Sequence, residues 1–206
     1  MNKKKVALIV VPIILFCMLA LCVKADLSIE FENWVYSEAV EHMSPVVTNI
    51  VKFITRLGNA SSIILFCFVL LIIPYTRHKY GMPVSISVII SGIFTIVLKK
   101  AFVRQRPDIL RLVTESTYSF PSGHAMINGA MYIMIILLVL KYVKSKKIKT
   151  ALISLCSFLI VSIGFSRVYL GVHYISDIIG GWLLGFVVAF VIYIIWKNRV
   201  IDKEEL

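Results

Sequence analysis

Six apolar runs, at residues 6–23, 57–75, 82–98, 125–140, 150–165 and 178–196, constrain this chain more than any other feature. Each is about as long as a bilayer crossing requires, roughly 17–25 helical residues. The two shortest runs are completed by flanking residues such as 122–124 and 148–149. Six spans in 206 residues leave little chain for anything else. The sequence therefore predicts an all-α polytopic membrane protein with six transmembrane helices, forming one membrane-embedded domain over residues 1–206. A hydrophobic fraction of 59% against 16% charged residues excludes an ordinary soluble domain.

Basic residues set the expected orientation. With Lys3, Lys4 and Lys5 in the cytoplasm, the internal segments also hold Arg77, Lys79, Lys141, Lys144, Lys146, Lys147, Lys149, Lys197, Arg199 and Lys203, so 13 of the 22 Lys and Arg lie inside. Both termini are then cytoplasmic. Five of the nine outer cations, Lys99, Lys100, Arg104, Arg106 and Arg111, crowd into one loop. Cations on the disfavoured side need a reason, and anion binding supplies one. The net charge of +11 fits contact with anionic lipid headgroups. No basic aromatic stripe points to nucleic acid. Residues 23–25 before Asp26 could close a signal peptide, but the long apolar run and Lys24 inside the candidate cleavage site favour a retained first span. The four cysteines, Cys17, Cys22, Cys67 and Cys156, all fall in apolar runs without metal-ligand spacing and read as packing residues.

Residues 26–56 form the longest segment between spans. Trp34 and Tyr36 suit headgroup level, and Val47, Ile50, Val51 and Ile54 recur at helical spacing, so short interfacial helices on the outer leaflet are expected. Residues 76–81 and 141–149 then read as cytoplasmic connections, and 99–121 and 166–174 as outer ones. Three polar blocks consequently meet on the outer face of the membrane.

The first block holds Lys99 and Arg106, seven residues apart and on one face if the helix persists, with Pro107 disfavouring helix at Arg106. Arginine grips phosphate oxygens through paired hydrogen bonds, and lysine adds a compact charge. Lys100 and Arg104 read instead as snorkelling residues at a span end. The second block, Pro121-Ser122-Gly123-His124, opens a span with free backbone N–H groups, a hydroxyl donor at Ser122, and His124 within the first turn as a candidate general acid. In the third block His173 and Asp177 are four residues apart, so a helix would stack them on one face. The carboxylate can fix the imidazole tautomer and leave the other ring nitrogen free to attack. Arg167 brings a further cation. A surplus of cations beside only two candidate ligand histidines argues against a metal, and no cofactor is expected.

Lys99-x6-Arg106-Pro107, Pro121-Ser122-Gly123-His124 and Ser166-Arg167-x5-His173-x3-Asp177 resemble the three-part signature of the type 2 phosphatidic acid phosphatase superfamily, with no departure at a specified position. The chain's size and span layout are similar to those of compact bacterial members, among them phosphatidylglycerophosphatase B-type and undecaprenyl-diphosphate phosphatases. The resemblance implies attack by His173 on phosphorus to give a phosphohistidine, with Asp177 orienting it. It implies that His124 protonates the leaving oxygen and that Lys99, Arg106, Ser122, Gly123 and Arg167 hold the phosphate. Neutral His173 with protonated His124 implies a bell-shaped pH dependence of rate. A lipid phosphate or diphosphate is the expected substrate, with phosphatidylglycerol phosphate, phosphatidic acid and undecaprenyl diphosphate left open. Phosphotransfer to another hydroxyl, or a non-catalytic lipid-phosphate transporter or binding protein, are the alternatives. A Gly180-Gly181 pair and Gly185 predict close packing of the last span against a neighbour.

Overall fold

A computed structural model describes residues 2–108 and 110–198. Its elements in chain order are α1 (Lys3–Lys24), α2 (Ile29–Glu41), α3 (Pro45–Leu57), α4 (Ala60–Ile72), α5 (Pro74–Thr76), a π-helical turn (Arg77–Gly81), α6 (Met82–Phe102), α7 (Gly123–Tyr142), α8 (Lys146–Tyr169) and α9 (Ile175–Trp196). The described residues include no strand. Arg199 and Lys203, two of the cations used for orientation, lie outside the described residues.

Among the described residues five helices are long and apolar enough to cross a membrane: α1, the continuous Pro74–Phe102 unit, α7, α8 and α9. The span expected at 57–75 is not one straight helix. α3 and α4 meet at 46° across a break, and the pair makes a sixth crossing only if taken together. Gly58 sits at that break because a Cβ there would lie 2.6 Å from Ile163 and 2.8 Å from Asn128. The connection expected at 76–81 is helical as well, running through the π-helical turn into α6. The interfacial stretch between the first two spans is present as helices α2 and α3. Along α3 the apolar side chains Val46, Ile50 and Phe53 are exposed and Thr55 is buried. That inverted pattern suits an apolar surrounding.

The core sits between α7 and α9, where Met126, Met134, Leu138, Val188, Ala189 and Ile192 are buried together. α9 approaches α7 through its glycines. A Cβ at Gly181 would lie 2.8 Å from both Ser122 O and Ala125 Cβ, and one at Gly185 would lie 2.6 Å from Met126 O. The neighbour the glycine pattern called for is therefore α7 of the same chain. Meanwhile Leu15, Met18 and Leu21 of α1 and Leu155, Phe158 and Val161 of α8 point outward. Apolar outsides around a packed interior are what a multi-pass membrane protein requires, since lipid rather than water meets them.

Candidate active site

The three polar blocks converge because α6, α7 and α9 present their ends to one loop, residues 103–122. α6 stops at Val103, whose φ of 52° is left-handed and uncommon for a β-branched residue. Lys99 and Arg106 are brought together after this turn by shared carbonyls, not by one helical face. Lys99 Nζ donates to Tyr118 O, and Arg106 Nη2 donates to the same oxygen at 3.3 Å. Arg106 is held further by Thr117 O and Val172 O, each at 2.7 Å. The loop docks on residues 170–174 where Gly171, at a φ of +69°, lets the Leu110 carbonyl approach closer than any Cβ would permit. Tyr36 Oη of α2 donates to that same carbonyl at 2.6 Å.

His173 and Asp177 do meet, by a route other than stacking along a helix. His173 precedes α9, and Asp177 lies in its first turn with Oδ2 accepting from Tyr174 N–H at 2.9 Å. This reach back to the helix start is how an acidic residue satisfies a free N–H at a helix N-terminus. Oδ2 also lies 3.2 Å from His173 Nδ1. On the other side of the ring, Nε2 is 3.2 Å from Arg106 Nη1. A guanidinium has donors and no acceptor, so Nε2 must accept and the ring proton must sit on Nδ1, facing Asp177. The lone pair that could attack phosphorus is thus on Nε2. Burial pushes the His173 imidazole down to about 3, against the pull of the Asp177 carboxylate, and so keeps it neutral.

Ser122 is buried and its Oγ accepts from Ala125 N–H at 3.4 Å, starting α7 and leaving its own hydroxyl proton to donate. His124 Nε2 lies 3.0 Å from Asn59 Oδ1 and carries the proton of that bond. Arg167 donates to Thr55 Oγ1 at 2.8 Å and to Glu115 Oε1, while its Nε is buried without a partner. Glu115 Oε2 is 3.9 Å from Arg106. One carboxylate therefore already spans two of the three cations. A cavity of about 330 Å³ joins these groups. Lys99, Arg106, Gly123, His124 and His173 line its polar end, and Ile63, Ile64, Val88, Ile89 and Gly92 its apolar end between α4 and α6. Among the described residues no three His, Cys, Asp or Glu side chains gather as a metal-ligand set.

Residues 80–201 match the PAP2 superfamily. The chain belongs to that superfamily. This PAP2 protein is 31% identical over 181 residues to phosphatidylglycerophosphatase B of Bacillus subtilis, covering 86% of this chain and 89% of the relative. It is 28% identical to an undecaprenyl-diphosphatase of Sulfolobus acidocaldarius, covering 94% and 93%. Its fold matches the crystal structure of a transmembrane PAP2-type phosphatidylglycerolphosphate phosphatase from Bacillus subtilis with a TM-score of 0.85 and 27% identity, over 94% of this chain and 98% of that one. The likeness to Aquifex aeolicus LpxE is looser, with a TM-score of 0.59 and 25% identity over 77% and 92%. As the relatives' names indicate, this PAP2 protein is a membrane phosphatase of lipid metabolism.

All eight residues singled out from the sequence surround this one region. Five neighbours were not foreseen: Ser119, Glu115, Asn59, Glu32 and Arg104. Ser119 Oγ lies 3.2 Å from His173 Nδ1 and donates to Asp177 Oδ2. Arg104, read as a snorkelling residue, instead turns inward to Asp177 Oδ1 at 2.7 Å and Glu32 Oε2 at 2.6 Å. Burial opposes its charge, yet the two carboxylates outweigh it and raise the guanidinium's pKa. Tyr36, expected at headgroup level beside Trp34, is instead buried and ties α2 to the site loop, while Trp34 is exposed; a charge inside this helix, such as Glu32, carries no spacing signal.

Proposed function

We propose that this chain is a lipid phosphatase that hydrolyses a phosphate monoester or diphosphate lipid on the outer face of the membrane through a phosphohistidine. The observation that carries the reading is the pair of bonds on His173, from Arg106 at Nε2 and to Asp177 at Nδ1, which directs the attacking lone pair toward a phosphate-gripping guanidinium. The lipid's phosphate lies on Lys99, Arg106 and Arg167, with the buried free N–H of Arg167 and the Ser122 hydroxyl as further donors. Nε2 attacks phosphorus as Nδ1–H leans on Asp177, and charge building on the equatorial oxygens meets these cations. His124 gives its proton to the leaving lipid oxygen and then takes one from the water that cleaves the phosphohistidine. The hydrocarbon tails stay between α4 and α6. No metal takes part, and the whole chain acts as one membrane-embedded unit with both termini in the cytoplasm.

The test is phosphate release by detergent-purified protein with a chelator present. Phosphatidylglycerol phosphate, phosphatidic acid and undecaprenyl diphosphate are each supplied, beside His173→Ala. Release that disappears in the variant is expected. Equal release from both proteins removes His173 as nucleophile, and release that stops with the chelator removes the metal-free mechanism.

A further inference from the structure

We propose that Arg104 is a positioning residue of this reaction, held by Glu32 of the interfacial helix α2 so that it fixes the carboxylate plane of Asp177 toward His173. The inference rests on the phosphatase reading above. Asp177 divides its work between its two oxygens. Oδ2 takes His173 Nδ1, Ser119 Oγ and Tyr174 N–H, and among the described residues Oδ1 takes Arg104 alone, 2.7 Å from Nη1. With that bond gone, Oδ1 would be a buried carboxylate oxygen with no partner, and the group could turn to satisfy it at the expense of the histidine.

The guanidinium is in turn over-determined. Nη1 also reaches Ser176 Oγ at 2.8 Å, Nη2 reaches Glu32 Oε2 at 2.6 Å, and Cζ lies 4.1 Å over the Tyr174 ring. The Ser176 hydroxyl donates to the second oxygen of Glu32. The side chains of Glu32 and Asp177 have no exposed surface, and that of Arg104 is 11% exposed. A long side chain at a span end that merely sought water would not be clamped from four sides. Two carboxylates flank one guanidinium, so the fork of the arginine is matched on both prongs. Arg104 is not among the residues lining the cavity that holds both histidines, and its bonded route to the reacting atoms runs through Asp177.

A residue acting only through Asp177 has a specific kinetic signature. Whichever of the three lipids the wild type cleaves fastest is used at fixed detergent, with Arg104→Gln made alone and on an Asp177→Asn background followed at raised protein concentration. Arg104→Gln is expected to lower kcat by about tenfold or more with KM within about twofold, and to cost less than about twofold once Asp177 is asparagine. An unchanged kcat overturns the proposal. So does a rise in KM with kcat held, or the same loss factor on both backgrounds, which is what a purely structural role would give. If Arg104→Gln is not recovered folded, Glu32→Gln replaces it in the same cycle. Alone it loosens Arg104 while Asp177 still supplies a counter-charge, and a kcat loss of about threefold that disappears on the Asp177→Asn background is expected. A wild type that releases no phosphate defeats the phosphatase reading, whereas these comparisons defeat the role of Arg104.

Discussion

At the scale of single residues, the site is organised around keeping one imidazole neutral and singly oriented. His173 is 2% exposed, and burial brings its pKa to about 3. On the phosphohistidine reading, a fall in rate between pH 9 and pH 5 therefore does not come from protonation of His173. The same burial has a thermodynamic consequence. An unfolded imidazole takes up its proton near pH 6.5, whereas the folded one resists until about 3. Stability linked to this group is complete above 6.5 and is lost as pH falls toward 3, because the unfolded state binds the proton first. The melting temperature of the wild type should therefore drop across that window more steeply than that of His173→Gln. Parallel curves for the two proteins would contradict the burial argument. The motif residues themselves were legible because their chemistry is tied to fixed spacing. Ser119, Glu115 and Arg104 were not, since each acts through a loop conformation set by the left-handed Val103 and by carbonyls far away in the sequence.

Helices bring these residues together by close approach, and glycine sets how close. Gly181 lies against Ser122 O and Ala125 Cβ at the start of α7, immediately beside His124. Gly181→Ala forces α9 and α7 apart by tenths of an ångström and costs about 1–3 kcal/mol as overpacking. Its effect should be a lowered melting temperature together with lowered phosphate release. Gly92→Ala in α6 is the contrast, since a Cβ there meets nothing within 4 Å. It should leave the melting temperature unchanged or raise it slightly, because alanine is the better helix former by about 0.5–1 kcal/mol. A matching loss in both variants would show that packing against α7 is not what Gly181 serves. At this scale five apolar runs announced their helices plainly. The break between α3 and α4 did not, because Gly58 is demanded by Asn128 and Ile163, both far along the chain from it. The π-helical turn likewise occupies a basic stretch that composition alone assigns to a connection.

Over the whole molecule, the site is assembled from elements at both ends of the chain. α2 contributes Glu32 and Tyr36, α3 contributes Thr55, and the break before α4 contributes Asn59, while α6 to α9 and their loops carry the motif residues. The family match at residues 80–201 covers the motifs and none of these four supports. The cavity between α4 and α6 adds a directional property. Ile64 and Ile89 at its apolar end are exposed on the outer surface of the bundle, at 66% and 60%. A doorway of that kind opens sideways, into the plane of the lipid. On the lipid-phosphatase reading, supply to His173 is then a two-dimensional traffic problem, governed by how many substrate molecules share a unit of membrane area and not by how many share a millilitre. Adding inert detergent to a fixed amount of lipid phosphate should slow turnover in step with the thinning of substrate in the micelle, and a rate indifferent to that thinning would mean the door faces water.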